Sequence, residues 1–253
     1  YRIHATGICF SVFGIGALLL SFLWFPILKL RHAGNVEATE RAVQQSLRWA
    51  FALFMSLMQT VGVMRWRVSG TEHLKTPGVL VIANHPTLVD TVALMSLMPQ
   101  VDAIVKAGLW RNAFLRWPVR WAGYIPNDES KPEELVQRCR SKLQAGRSLL
   151  VFPEGTRSEP GKPRRLRRGA AQIALASGCM VVPATITCTP MTLIKGEKWW
   201  QVPSRKFALN IVIDPAFDPA AVLEPGLSGP VAARRLTQYF GDYFNRRLAE
   251  LAP

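Results

Sequence analysis

Val79-Leu80-Val81-Ile82-Ala83-Asn84-His85-Pro86-Thr87-Leu88-Val89-Asp90 joins a short apolar run to a polar loop that carries an imidazole and a carboxylate. Five apolar residues, four of them Val, Leu or Ile, bounded by Gly and Asn, read as a strand buried on both faces. The apolar pattern resumes over 91–97 at helical spacing. A buried strand leading through a polar loop into a helix is the repeating unit of α/β proteins.

The same alternation continues on both sides of this stretch. Further strand-like runs are Ala103-Ile104-Val105, Ser148-Leu149-Leu150-Val151-Phe152, Met180-Val181-Val182 and Leu209-Asn210-Ile211-Val212-Ile213. Helix-like stretches at 132–143 and 169–176 lie between them. The expected fold class is α/β, a mixed sheet flanked by helices. The Pro/Gly-rich segment 214–230 reads as a surface excursion. After it, Leu236, Phe240, Tyr243, Phe244, Leu248 and Leu251 fall near helical spacing, as in a helix packed on the core.

The N-terminal quarter has a different character. No charged residue occurs from Gly7 to Leu28, nor from Trp49 to Met64. A helix over 8–28 is about 30 Å long, enough to cross the hydrocarbon core of a bilayer. Its long apolar region, with no small-residue cleavage site after it, fits a signal peptide less well. Lys29, Arg31, Arg41 and Arg48 follow it and only Arg2 precedes it, so a spanning helix would leave the rest of the chain in the cytoplasm. The stretch 49–64 is short for a span, and reads either as an in-plane or re-entrant membrane helix or as a core helix. The expected division is a membrane-associated helical segment, 1–66, and an α/β domain, 67–253.

Composition narrows the partners. The 253 residues include 31 Lys and Arg against 17 Asp and Glu, a net charge of +14, while 49% are hydrophobic. Such a charge favours polyanions, either nucleic acid or an anionic lipid surface. The apolar N-terminal run points to lipid, and no zinc-finger or RNA-binding aromatic motif points to nucleic acid. Cys9, Cys139, Cys179 and Cys188 form no CxxC pair and have no metal-ligand spacing. Cys179 and Cys188, which flank an apolar strand-like run, read as small buried hydrophobes. Nothing in the four demands an oxidising compartment, so a reduced, cytosol-facing globular part is expected.

His85 and Asp90 are five residues apart, which in a regular helix leaves them about 140° apart in azimuth. Pro86, at the first helical position, would leave His85 outside the regular turn and free to fold back onto Asp90. A carboxylate on one imidazole nitrogen fixes the tautomer, so that the other nitrogen can act as a general base. Phe152-Pro153-Glu154-Gly155-Thr156-Arg157 is a second loop, leaving the end of another strand, where α/β proteins bind ligands. Gly155 permits a sharp turn, and Arg157 can make two parallel hydrogen bonds to a phosphate or carboxylate. Lys162, Arg164, Arg165, Arg167 and Arg168 follow, a cluster suited to anionic headgroups. No GxSxG nucleophile elbow is present, so an α/β-hydrolase mechanism lacks its serine.

Asn84–Asp90 and Phe152–Arg157, with Val182-Pro183-Ala184 and Arg168-Gly169-Ala170 after them, resemble the motif blocks of the lysophospholipid acyltransferase family, 1-acylglycerol-3-phosphate acyltransferases among them. The resemblance covers about residues 67–215. It implies a glycerolipid acyltransferase-like fold on a membrane, with His85 as base and Asp90 as its orienting partner. Glu154, Gly155, Thr156, Arg157 and Arg168 would bind the acceptor, a lyso-lipid. The acyl donor would be a thioester on coenzyme A or acyl carrier protein, with no metal and no bound cofactor. One block departs from the family. Members with phosphorylated acceptors carry an Arg six residues after a Gly, where Gly123-Tyr124-Ile125-Pro126-Asn127-Asp128 is followed by Glu129. The wording of this stretch resembles acyltransferases of aryl-polyene-type lipid pathways, which implies a bacterial inner membrane with the catalytic part facing the cytoplasm. A lipid esterase or thioesterase on the same His-Asp site, or a non-catalytic lipid-binding protein, are the alternatives.

Overall fold

The computed structural model describes residues 1–112, 115–159, 161 and 164–252. Its helices are α1 (Arg2–Leu19), α2 (Phe25–Arg31), α3 (Val36–Thr60), α4 (Asp90–Leu97), α5 (Ala107–Arg111), α6 (Arg116–Trp121), α7 (Pro132–Gln144), α8 (Gly169–Ser177) and α9 (Gly229–Glu250). Its strands are β1 (Met64–Ser69), β2 (Leu80–Ala83), β3 (Asp102–Lys106), β4 (Ile125–Asn127), β5 (Leu149–Val151), β6 (Val181–Thr189) and β7 (Phe207–Ile213). They form a sheet in the order β1-β7-β6-β2-β5-β3-β4. Among the described strands only β6 and β7 pair antiparallel; the other neighbours are parallel.

This is the expected mixed sheet flanked by helices. All four residues of β2 are buried, as befits a central strand with both faces covered. One face packs with α3 and α4, through Met55, Met58, Leu94 and Val182 among others. The other packs with α7, α8 and α9, through Leu143, Ile173, Leu236 and Phe240. The C-terminal amphipathic segment therefore lies on the core, as its spacing predicts.

Two strands lie outside the apolar runs. In β1 the buried Met64 is followed by exposed Arg65 and Arg67, an edge strand whose charges deter pairing with another chain. It also places the expected division at residue 66 within a strand of the sheet. In β4 the three residues include Pro126, which an edge strand tolerates.

The N-terminal helix is longer than 8–28. α1 and α2 run into one another through a π-helical turn, Leu20–Trp24. Pro26 explains the widened turn, because it has no N–H for the carbonyl four residues earlier and its ring crowds that carbonyl. Among the described residues this is also the helix long and apolar enough to cross a membrane, and little of it is buried. Both of its ends touch the rest of the protein. Tyr1 donates its hydroxyl to the Val61 carbonyl, and Phe25 and Leu28 pack with Val43 of α3. Between them Phe13 lies against Phe51 and Phe54. The stretch 49–64 is the C-terminal part of α3, with the turn and strand start that follow. Phe54, Met55 and Met58 enter the core while Trp49 and Leu53 stay exposed.

α3 is fastened to the sheet by a buried ionic group. The Arg147 guanidinium donates to both Asp102 carboxylate oxygens, at 2.7 and 2.6 Å, and to Glu40 Oε2 at 2.5 Å. Gln44 Nε2 also donates to Asp102 Oδ1, and Lys142 to Glu40. Gly123 must be glycine for this arrangement. Its φ is +70°, and a Cβ there would lie 2.2 Å from Glu40 Cδ. Removing Arg147 leaves two acidic groups in the interior without their main counter-charge. Arg147→Met is expected to cost about 3–5 kcal/mol. Lys142→Met, at a more exposed pair, should cost less than about 1 kcal/mol. Chemical denaturation in detergent measures both, and equal losses would contradict the assignment.

Candidate active site

β2 and β5 are parallel neighbours, with Leu80 beside Leu149 and Ile82 beside Val151. Both therefore end at the same edge of the sheet, and the loops that follow them, 84–89 and 152–158, meet there. This crevice beyond the carboxyl ends of adjacent strands is where open α/β sheets place their ligands.

Asn84 closes β2. Its buried side chain continues the ladder toward β6: Nδ2 donates to the Ile186 carbonyl at 2.8 Å, and Oδ1 accepts the Ile186 N–H at 2.7 Å. The backbone is thereby held at the residue before His85. His85 Nδ1 lies 2.9 Å from Asp90 Oδ2, with the Asp90 side chain fully buried and that of His85 16% exposed. The pairing is as expected, but its cause is not. Pro86 is not at a first helical position, since α4 begins at Asp90 itself. Residues 84–89 are an irregular turn, which shortens the path between the two side chains. Thr87 shapes that turn by donating its N–H to Asp90 Oδ2 (2.6 Å) and its hydroxyl to Oδ1 (2.5 Å).

Burial pushes the Asp90 carboxyl above the ordinary aspartate range, and the bonds from His85 and Thr87 draw it back only in part. A carboxylate with raised proton affinity is a strong acceptor for Nδ1–H, which leaves Nε2 as the nitrogen with a free lone pair. Among the described residues Nε2 has no hydrogen-bond partner. The imidazole ring stacks on Phe152, with centroids 4.2 Å apart.

The second loop is built on a four-residue turn, closed by Gly155 N–H donating to the Phe152 carbonyl at 2.9 Å. Gly155 has φ +69°, and a Cβ there would lie 2.9 Å from Arg167 Nε. Glu154 is buried and points into the protein. Its Oε1 accepts the His85 backbone N–H at 3.1 Å, and the Ser158 hydroxyl donates to both of its oxygens. The Ser158 N–H in turn donates to the His85 carbonyl at 2.7 Å. Glu154 thus joins the two loops.

Arg157 is only partly free. Its Nη1 donates to the Leu193 and Ile194 carbonyls, at 2.9 Å each, which fastens a third segment to the site. Its Nε and Nη2 have no partner among the described residues. Thr156 and Arg168 are exposed, and Arg168 sits just before α8, next to Arg167, whose N–H donates to the Pro153 carbonyl. Arg167 Nη1 lies 3.4 Å from Glu129 Oε1. The acid at the departing position is therefore paired with a cation of the basic cluster. Lys162 of that cluster lies outside the described residues. Among the described residues no group of three His, Cys, Asp or Glu side chains is placed to hold a metal ion.

The structure brings His85, Asp90 and Glu154 into contact, with Gly155, Thr156 and Arg157 on the same loop. It does not bond Arg168 to that group. Sequence reasoning missed Thr87, Ser158 and the Leu193–Ile194 carbonyls. Thr87 had a signal, because Thr-x-x-Asp before an apolar run is a capping-box pattern. Nothing in the sequence links Leu193 to Arg157.

Comparison with known proteins agrees with the geometry. Residues 65–187 match the family model described as Acyltransferase. A 1-acyl-sn-glycerol-3-phosphate acyltransferase of Pseudomonas aeruginosa is 26% identical over 241 residues, 92% of this chain and 85% of the relative. The chloroplastic 1-acyl-sn-glycerol-3-phosphate acyltransferase LPAT1 of Arabidopsis thaliana is 32% identical over 137 residues, 52% of this chain. The match spans only 38% of the Arabidopsis protein, and 40% of its Brassica napus counterpart. The crystal structure of the 1-acyl-sn-glycerophosphate acyltransferase PlsC from Thermotoga maritima superposes with a TM-score of 0.70. The superposition covers 100% of this chain and 99% of that one at 22% identity, a likeness of fold. Residues 65–187, which hold both loops of the site, are thus the part of this chain that is similar to the acyltransferase family.

Proposed function

We propose that this protein transfers an acyl group from a thioester to a hydroxyl of a lyso-lipid, with His85 as general base. The observation that carries the proposal is the His85–Asp90 pair with Nε2 unpartnered, held by Glu154 against the Phe152–Arg157 loop. His85 Nε2 takes the proton of the acceptor hydroxyl as its oxygen attacks the thioester carbonyl. The tetrahedral oxyanion collapses, the carbon–sulfur bond breaks, and the imidazolium returns its proton to the departing thiolate. Asp90 holds the tautomer and stabilises the imidazolium between these steps. The donor is an acyl-CoA or an acyl carrier protein thioester.

The acceptor is lysophosphatidic acid or a related lyso-lipid. Glu129 alone would repel a phosphate, but Arg167 offsets it, and Arg157 keeps free N–H groups beside the loop. The likeness of Gly123–Glu129 to aryl-polyene-pathway acyltransferases supports a branch with a different lipid acceptor, and an acceptor panel separates the two. A lipid esterase would use the same pair with water as acceptor.

The proposed location is one face of a bacterial inner membrane, with the catalytic part in the cytoplasm. Contacts from Tyr1 to Leu28 lay α1 and α2 along the α/β body. A helix that touches one body at both ends does not thread a bilayer with that body on one side. We therefore place 1–31 in a single leaflet, with its exposed apolar face in the lipid.

Thiol release by the purified protein in nanodiscs, supplied with acyl thioesters and a lyso-lipid panel, tests the proposal. His85→Ala and Asp90→Asn are each expected to lower the acceptor-dependent rate by about 10²–10⁴-fold. Release that is independent of acceptor would favour the esterase, and unchanged rates in His85→Ala would remove His85 as the base. Glu154 gives a separate expectation. As a positioning residue, Glu154→Ala should lower kcat about tenfold or more with little change in KM for the acceptor, and Glu154→Gln should recover most of it. A rise in KM alone would make Glu154 an acceptor ligand instead.

A further inference from the structure

We infer that the segment 190–206, between β6 and β7, is a second membrane-contacting element that seats its tryptophans in an anionic lipid surface. β6 and β7 are antiparallel neighbours, which a loop of about 2–5 residues suffices to join. The chain instead makes a long excursion with two halves of different character.

The inner half is braced on the active site. Leu193 is buried at φ +55°, and its carbonyl accepts both Arg157 Nη1 and the Leu88 N–H (3.0 Å). The outer half reaches α1. The Trp199 ring lies over Gly7, where a Cβ would stand 3.3 Å from it, and 6.2 Å from the Phe10 ring. Trp200 meets Trp199 edge to face at 5.4 Å. Although each indole touches protein on one side, Trp199 is 40% and Trp200 47% exposed, and Ile3 and Ile8 of α1 are exposed as well.

Two neighbouring indoles left open to water next to an apolar helix make an exposed patch of the kind that marks an interaction surface. Trp is the residue enriched at the level of lipid headgroups, with its ring amphipathic across that boundary. The charge around it selects the lipid. Lys198 Nζ lies 5.0 Å from the Trp200 ring, and Arg205 and Lys206 are exposed at the end of the segment. Cations at this level attract anionic headgroups by about 1 kcal/mol each. Through Arg157 and Leu88, the same segment ties the bilayer surface to the site's two loops.

The test does not depend on acyl transfer, so its failure is distinct from failure of the proposed function. A photo-crosslinking residue in place of Trp200, in the full-length protein in phosphatidylglycerol-containing nanodiscs, is expected to give lipid adducts by mass spectrometry. The same residue at Glu133, on α7, should give none. Adducts only to α1 or to a second copy of the chain would overturn the inference. In parallel, a Lys198→Ser/Arg205→Ser variant should bind phosphatidylglycerol-containing vesicles roughly tenfold or more weakly. Its binding to neutral phosphatidylcholine vesicles should not change. Equal binding to both vesicle types by both proteins would refute the electrostatic part and leave no reason to assign an anionic surface.

Discussion

The Glu154 carboxylate holds the His85 main chain while taking both hydrogen bonds from the Ser158 hydroxyl, and the geometry of the whole site depends on that link. It works because β2 and β5 are parallel neighbours, so that two loops about seventy positions apart in the chain leave the sheet side by side. A buried carboxylate needs partners to offset its desolvation, and here the partners are groups that must be placed for chemistry. The ladder-like bonds of Asn84 to Ile186 do the same on the other side of His85. What looks like a two-residue motif is therefore a short irregular turn clamped from β6 and from the loop after β5.

Much of this was legible in the sequence where one physical signal dominated. Leu80–Ala83 and Leu149–Val151 are apolar because both faces of a central strand are covered, and the same logic marks β6. β7 is marked instead by its alternation of buried Phe207, Leu209, Ile211 and Ile213 with half-buried residues. β1 and β4 carry weaker signals, since an edge strand can expose Arg65 and Arg67 or accept Pro126. The start of α3 at Val36 was hidden by charged residues such as Glu40, whose partners Arg147 and Lys142 lie a hundred positions away. His85 and Asp90 were legible from their place in a polar loop directly after a buried strand, although the irregular turn that joins them was not. The positioning role of Glu154 was not, because a carboxylate in a loop reads equally as a ligand for substrate or for backbone.

The electrostatics of the site are more balanced than the net charge of +14 suggests. Arg157 is partly spent on main-chain carbonyls, and Arg167 is paired with Glu129. That pair is exposed on both sides and so contributes little to stability, about 0–1 kcal/mol. Its effect is instead on what may approach Gly155, over which the Arg167 side chain lies. The cations at 198, 205 and 206 sit elsewhere, in the segment whose Trp199 lies over Gly7 of α1. Charge thus serves two separate ends here, a restrained pocket and an attractive rim.

Direct transfer makes one demand that can be met or missed in a single experiment. Enzyme in excess over acyl thioester, mixed rapidly with or without lyso-lipid, reports thiol release and acyl product on the same time base. If His85 activates the acceptor hydroxyl, thiol and acylated lipid form together at one rate, and no thiol appears without acceptor. A burst of thiol equal to the thioester supplied, in the absence of acceptor and without free fatty acid, would mean a covalent acyl-enzyme, and would contradict the role assigned to the His85–Asp90 pair.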